Sequence, residues 1–243
     1  EGWFRSYGDG PIWGADPTTG FGVDSMQLFG YGTVSGATMQ WKQTSTCSGD
    51  SENCPVPKGL WLRAATDCVV VGLMFVDFNM HNLILYGADA EEQRNTFTHS
   101  KVLGWRTNSD GLHVFGHWND ITDLFLRTSD DSLYIGDESS ATTYRRIVTW
   151  NDANGVPFLF GTGNAGPTTL EDCDVIYHRK QWPYWCGSVF NLRWESSLSS
   201  INNYTIRDIR ITDPYPTCPL LKLEGCIMNA YFENVVMEAH SSY

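Results

Sequence analysis

From Leu60 onward the chain repeats one unit: a short strand with apolar residues two apart, a polar turn, and a second short strand that often closes on glycine. The second strands read as Asn82–Gly87, Gly111–Gly116, Ser132–Gly136, Pro157–Gly161, Val189–Trp194 and Leu220–Gly225. The first strands read as Cys68–Asp77, Ser100–Trp105, Ile121–Arg127, Arg145–Trp150, Asp172–His178 and Thr205–Thr212, and Tyr231–Glu238 follows without a partner. Units of roughly 20–30 residues with period-two strands and no helical periodicity predict an all-β parallel β-helix, a solenoid. Each coil of such a fold exposes an apolar edge that only the next coil covers. The inward pairs Leu73/Phe75, Leu124/Leu126, Ile147/Thr149, Val175/Tyr177, Ile209/Ile211 and Val235/Met237 are expected to stack as ladders. A β-sandwich also uses many short strands, but its hairpins favour two-residue Asn-Gly or Asp-Gly turns, and most turns here are longer and irregular. Residues 1–59, rich in Gly, Pro, Ser and Thr, read as an N-terminal β/loop segment leading into the solenoid, with 60–243 as the β-helix domain.

Charge narrows the partners. With 28 acidic against 16 basic residues the formal charge is −12, which repels phosphate backbones and anionic lipid, so nucleic acid is not an expected partner. The longest apolar stretch, Val69–Val76, falls far short of the ~20 residues a membrane helix needs and predicts a buried strand rather than membrane insertion. Cysteines at 47, 54, 68, 173, 186, 218 and 226 suggest the near-neighbour pairs Cys47–Cys54, Cys173–Cys186 and Cys218–Cys226, leaving Cys68 as a buried thiol. Other pairings satisfy the sequence as well. There is no Cys-x-x-Cys and no zinc-like His/Cys spacing, so neither a metal nor a cofactor is expected. Asn203-Tyr204-Thr205 is a glycosylation sequon, and with the cysteines it predicts a secreted, extracellular protein. The first residue is Glu1 rather than Met, which suggests a mature product or a fragment lacking an N-terminal part.

Superimposing the second strands places Leu112-His113-Val114 over Leu133-Tyr134-Ile135. Asp110 and Asp131 then share one position on successive coils, and Asp130 sits one residue earlier. His81 holds the equivalent position one coil before, and Asn154 lies near it one coil after. Crowded carboxylates repel, so one of the three holds its proton to higher pH than an isolated Asp. A protonated acid beside an ionised base is what glycoside hydrolysis requires. Ser-Asp-Gly and Ser-Asp-Asp are also ordinary turn sequences, and Asp120, Asp123, Asp152, Asp172 and Asp174 read only as turn residues. Stacked carboxylates can bind calcium, but no dedicated calcium-loop spacing is present. His113 and His117 flank the trio and read as structural. Further along, His178, Arg179, Lys180, Trp182 and Trp185 lie in the matching turn and offer cationic donors and stacking faces for sugar, although a solvated basic turn explains them equally well.

Three stretches resemble glycoside hydrolase family 49, the dextranases and isopullulanases. Gly30-Tyr31-Gly32-Thr33-Val34-Ser35-Gly36 resembles the start of their β-helix. Thr107-Asn108-Ser109-Asp110-Gly111, then Asp123-Leu124-Phe125 and Ser129-Asp130-Asp131, resemble the family's Thr-Asp-Gly and Asn-Asp-Asp motifs. Arg146 to Gly161 and Asp174-Val175-Ile176-Tyr177-His178-Arg179 follow the order of its later coils. The resemblance implies a right-handed parallel β-helix and inverting hydrolysis of an α-linked glucan such as dextran or pullulan. It makes Asp130 the general acid, with Asp110 and Asp131 as the candidates for activating water. The chain departs from the family in having Ser129 in place of Asn and no room for the N-terminal β-sandwich, which implies a missing domain or a larger assembly. Asn108-Ser109-Asp110-Gly111 also resembles the Asn-Thr-Asp-Gly of family 28 polygalacturonases, but Gly161-Thr162-Gly163 stands where their Gly-His-Gly is expected. The rival to an enzyme is a non-catalytic extracellular β-helix glycoprotein module for assembly or carbohydrate binding.

Overall fold

The computed structural model describes residues 4–5, 25–36, 59–63, 65–78, 81–86, 93–106, 109–136, 139–153, 155–161, 167–179, 187–193, 202–224 and 228–238. These form a right-handed parallel β-helix with one 12-stranded and one 7-stranded sheet, and no helix occurs among the described residues. Each coil passes from the first sheet through a turn to a second-sheet strand, and the ladders join successive coils.

The second sheet is the simpler one. Its strands are Leu60–Arg63, Leu83–Tyr86, Leu112–Phe115, Leu133–Ile135, Phe158–Phe160, Phe190–Arg193 and Leu221–Glu224. Their register stacks Leu60, Leu83, Leu112, Leu133, Phe158, Phe190 and Leu221 in one column and Leu62, Leu85, Val114, Ile135, Phe160, Leu192 and Leu223 in the next. From Leu60 to Leu192 both columns are buried. Each such side chain withdrawn from water contributes about 1.5–3 kcal/mol, and a strand of three or four residues is held only because both neighbours supply the same apolar pair.

First-sheet strands are longer and kinked. Asp120–Thr128, Thr143–Asn151, Pro167–His178, Asn202–Ile211 and Met228–Met237 each pass through one left-handed residue, and Thr96–Thr98 is parted from Lys101–Leu103 by another. His99, Asp123, Arg146, Asp172, Asp208 and Asn234, with φ of 49–56°, align across the coils at this kink. Asp and Asn tolerate that conformation best, and Arg146 bridges Asp123 with two hydrogen bonds of 2.6 Å. The kink splits the predicted Cys68–Asp77 strand at Gly72 into Val69–Val71 and Met74–Val76.

Alternation beyond the kink decides two points that sequence spacing misjudged. Cys173 falls in the inward column between Ile147 and Ile209, where it is a free, fully buried thiol, so it does not pair with Cys186. Burial pushes its thiol up to about 12. Tyr177 was expected inward with Val175, but a register shift after Thr149 sets it opposite Trp150 on the outer face, their rings 4.7 Å apart. Cys68 is buried and in no disulfide, as expected, and its thiol donates to the Thr66 carbonyl (3.4 Å). Cys47, Cys54, Cys186 and Cys226, on which the remaining proposed pairs depend, lie outside the described residues. At the last strand, Val235 packs on the core while Met237 is 47% exposed.

A buried polar ladder seals the corner ahead of the first sheet. The Cys68 N–H donates to Asn95 Oδ1 (2.9 Å), the Asn95 N–H to Asn119 Oδ1 (3.2 Å), and the Asn119 N–H to Thr142 Oγ1 (3.3 Å). Asn95 Nδ2 also donates to the Ala65 carbonyl (2.9 Å). These bonds satisfy backbone groups that the turn removes from the sheet ladder. Replacing Asn95 with Ala strands a buried donor and a buried acceptor, and should lower unfolding free energy by roughly 3 kcal/mol. A urea melt unchanged within error would show that the ladder contributes nothing.

Candidate active site

The register of the second sheet fixes where the aspartates stand. Leu83, Leu112, Leu133 and Phe158 are opposite one another, so the positions two residues earlier, His81, Asp110, Asp131 and Val156, also align on successive coils. The Asn82 side chain donates to the Asp110 carbonyl (2.6 Å) and its backbone N–H to the same oxygen (3.1 Å), while the Gly111 N–H donates to the Asp131 carbonyl (2.8 Å). Coil spacing at Gly111 excludes a side chain: a Cβ there would lie 2.1 Å from the Ser132 carbonyl oxygen. The Asp-Gly pair is thus a packing requirement as well as a turn sequence.

Asp110 is the anchored member of the trio. It is buried, and its Oδ2 accepts a hydrogen bond from His113 Nε2 at 2.8 Å, with His81 Nε2 at 3.5 Å. Both histidines are buried, and their rings stack at 4.2 Å with planes 29° apart. Tyr134 meets the His113 ring edge-on at 5.0 Å and completes the covering. One ring nitrogen each of His81 and His113 and one carboxylate oxygen of Asp110 lie within 4.8 Å of one another. His113 was read from sequence as a structural flank. Its signal was available: Leu112 and Val114 point inward, so His113 points outward and reaches back three residues to Asp110.

The Asp130–Asp131 pair is held by the turn on the next coil. The Asp131 N–H donates to Asp130 Oδ1 (3.0 Å) and the Val156 N–H to Asp131 Oδ1 (2.7 Å). The Asp130 carbonyl accepts from Thr128 Oγ1 (2.7 Å) and Asn151 Nδ2 (2.6 Å). Ser129 Oγ donates to the Arg106 carbonyl and lies 3.3 Å from Ser109 Oγ, tying this turn to the one that carries Asp110. Gly155, left-handed at φ +74°, passes so close that a Cβ would stand 2.4 Å from Asp130 Oδ1. Burial raises the proton affinity of Asp131 well above the ordinary carboxylate range, and the charges of Asp130 and Asp110 add to it. The Val156 N–H and His113 act in the opposite direction. Asp131 is therefore prone to retain a proton, whereas the family resemblance named Asp130 as the acid.

Other expected site residues separate from this cluster. His178 is fully buried, in register with Asn151, which itself faces Thr128. Burial and the adjacent Arg179 charge push its imidazole down to about 4, so at neutral pH it is not the cationic donor that the sequence suggested. Arg179 sits 4.3 Å above the Tyr177 ring and pairs with Asp213. Asn203 is exposed, its side-chain oxygen accepting from Asn229 Nδ2 (3.0 Å). Asn154, Lys180, Trp182 and Trp185 lie outside the described residues.

No protein-family model matches the chain, and no curated protein matches it in sequence. A search of solved structures finds Dex49A from Penicillium minioluteum at a TM-score of 0.50 and 13% identity. The match covers 90% of this chain and 43% of that one, so the chain spans less than half of Dex49A. This likeness shows a shared fold.

The neutral, buried His178 has a consequence for acid stability. Its folded-state affinity for protons lies below the unfolded value of about 6.5. The unfolded chain therefore binds a proton first, and up to about 3 kcal/mol of stability present above pH 6.5 is lost as pH falls toward 4. The stability of His178→Asn should vary less over that window than that of the native chain, as measured by urea unfolding at pH 7 and pH 4.5. Equal slopes would remove His178 from the account.

Proposed function

We propose that the chain is a secreted glycoside hydrolase that cleaves an α-linked glucan of the dextran or pullulan type with inversion, using Asp110, Asp130 and Asp131. The observation that carries this reading is the alignment of Asp110 with Asp131 on adjacent coils, Asp130 beside them, with Asp110 fixed by two buried histidines. The resemblance to family 49 and the fold shared with Dex49A support it.

In this reading Asp110 is the base. Its hydrogen bond from His113 stabilises the ionised carboxylate and fixes its direction. Asp130 and Asp131 act as a pair that holds one proton; the pair titrates as a unit, and burial favours Asp131 as the proton's resting place. The proton passes to the glycosidic oxygen as the C–O bond breaks. Water attacks the anomeric carbon from the opposite face and gives its proton to Asp110, so the number of protons held by the three acids is unchanged. His81 and Asn154, and the Arg179, Lys180, Trp182 and Trp185 turn, are proposed as substrate contacts. A net charge of −12 disfavours a polyanionic substrate such as pectin.

The test is reducing-sugar release from dextran, pullulan and polygalacturonate. Activity is expected on an α-glucan, with Asp130→Asn and Asp110→Asn each slowing turnover by roughly 10²–10⁴-fold while circular dichroism stays native. Gly155→Ala should also reduce turnover, because the added methyl displaces Asp130. No turnover on any polysaccharide would leave the chain as a non-catalytic β-helix module.

A further inference from the structure

Three buried side chains in this cluster, the proposed base among them, also form a set of metal-binding donors. We propose that His81, Asp110 and His113 bind one divalent transition-metal ion of the Zn²⁺ or Cu²⁺ class, and that the bound ion silences the hydrolytic centre. The first part stands on geometry alone; the second rests on the hydrolase reading.

The donor atoms are already convergent. His113 Nε2 is 2.8 Å and His81 Nε2 3.5 Å from Asp110 Oδ2, and one donor atom from each residue lies within 4.8 Å of the others. A tetrahedral zinc with bonds of about 2.0–2.1 Å needs its donors ~3.3 Å apart, and the two distances to Asp110 bracket that value. The framework is rigid. The histidines come from adjacent coils and stack at 4.2 Å, and Asn82 holds the Asp110 backbone from the coil before. Little rearrangement is needed beyond a small retreat of the Asp110 carboxylate.

Chemistry selects the ion. Two imidazole nitrogens and one carboxylate oxygen suit zinc and copper, whereas calcium and magnesium require mostly oxygen donors. Three protein ligands leave a fourth position for water or substrate, the arrangement of an open zinc site. The Asp130–Asp131 pair on the next coil keeps one negative charge while it holds one proton, and that charge favours a cation. Coordination occupies the Asp110 oxygen that would otherwise receive the proton from water, so a loaded centre loses its base. Zinc-like spacing is absent from the sequence because the ligands come from two coils and only the fold brings them together.

The experiment uses the full chain, stripped with EDTA and dialysed, and titrated with ZnSO₄ in a calorimeter. One site of micromolar affinity is expected, with no comparable heat from CaCl₂. His81→Ala and His113→Ala should each weaken binding at least tenfold while circular dichroism stays native. Should either variant fold poorly, Co²⁺ added to the native chain gives an independent readout: visible bands of four-coordinate cobalt, displaced by Zn²⁺, support the site, and six-coordinate spectra overturn it. Zinc binding that is unchanged in both histidine variants also overturns it. For the second part, one equivalent of Zn²⁺ should abolish glucan hydrolysis and EDTA should restore it; full activity at saturating zinc overturns the silencing. A chain that binds zinc through these histidines yet hydrolyses nothing retains the metal site and loses the hydrolase reading.

Discussion

Everything in this molecule depends on coils stacking in register. A strand of three or four residues has no stability of its own; it persists because the coils on either side satisfy its backbone groups and cover the same apolar columns. That dependence makes the positions of side chains discrete. A residue is opposite its counterpart on the next coil or it is not, and a slip of one would exchange the inner and outer faces of the sheet. Asp110 and Asp131 are neighbours because Leu112 and Leu133 are neighbours. The core and the site are therefore one arrangement seen from two sides of the same sheet.

Crowding then sets the chemistry. Three carboxyls share one stretch of the solenoid, and the fold distinguishes them by surroundings rather than by type. Asp110 receives hydrogen bonds at its backbone from Asn82 and at its carboxylate from His113. Asp131 is half-buried beside Gly111 and Val156, where desolvation favours the neutral acid. Asp130 has its carbonyl fixed by Thr128 and Asn151, while its carboxylate caps the following N–H. Identical side chains are thus given unlike surroundings and unlike freedom.

Much of this was legible in the sequence. The Leu-x-Leu and Phe-x-Phe pairs of the second strands are short, strongly apolar and flanked by turn residues, so their superposition left few options, and the aspartate alignment followed from it. The first sheet was harder, because its strands continue through a left-handed residue instead of ending there. Period-two reasoning loses its phase at such a point, and the bulge after Thr149 shifts it again. Tyr177 was assigned to the wrong face for that reason. Cys173 was matched with Cys186 by proximity along the chain, when alternation directs its sulfur between Ile147 and Ile209. His113 was undervalued because a histidine within a strand looks like packing until its partner three residues back is seen to be a buried carboxylate. His178 erred the other way: its neighbours Arg179 and Lys180 suggested an exposed basic turn, yet the ring lies inside the coil.

The stacked kinks also separate two properties that most folds tie together. Ion pairs at the kink region join residues 23 apart in sequence at Asp123–Arg146 but 36 apart at Asp174–Arg210, although each pair spans a single coil step. Most of the difference lies between the described strands. Loop length is consequently a free variable in this architecture: segments between the strands can lengthen, shorten or change composition from one descendant to another without moving the stacked columns. A lineage built on such a scaffold can edit its rim while the stacked columns inherit an unchanged frame.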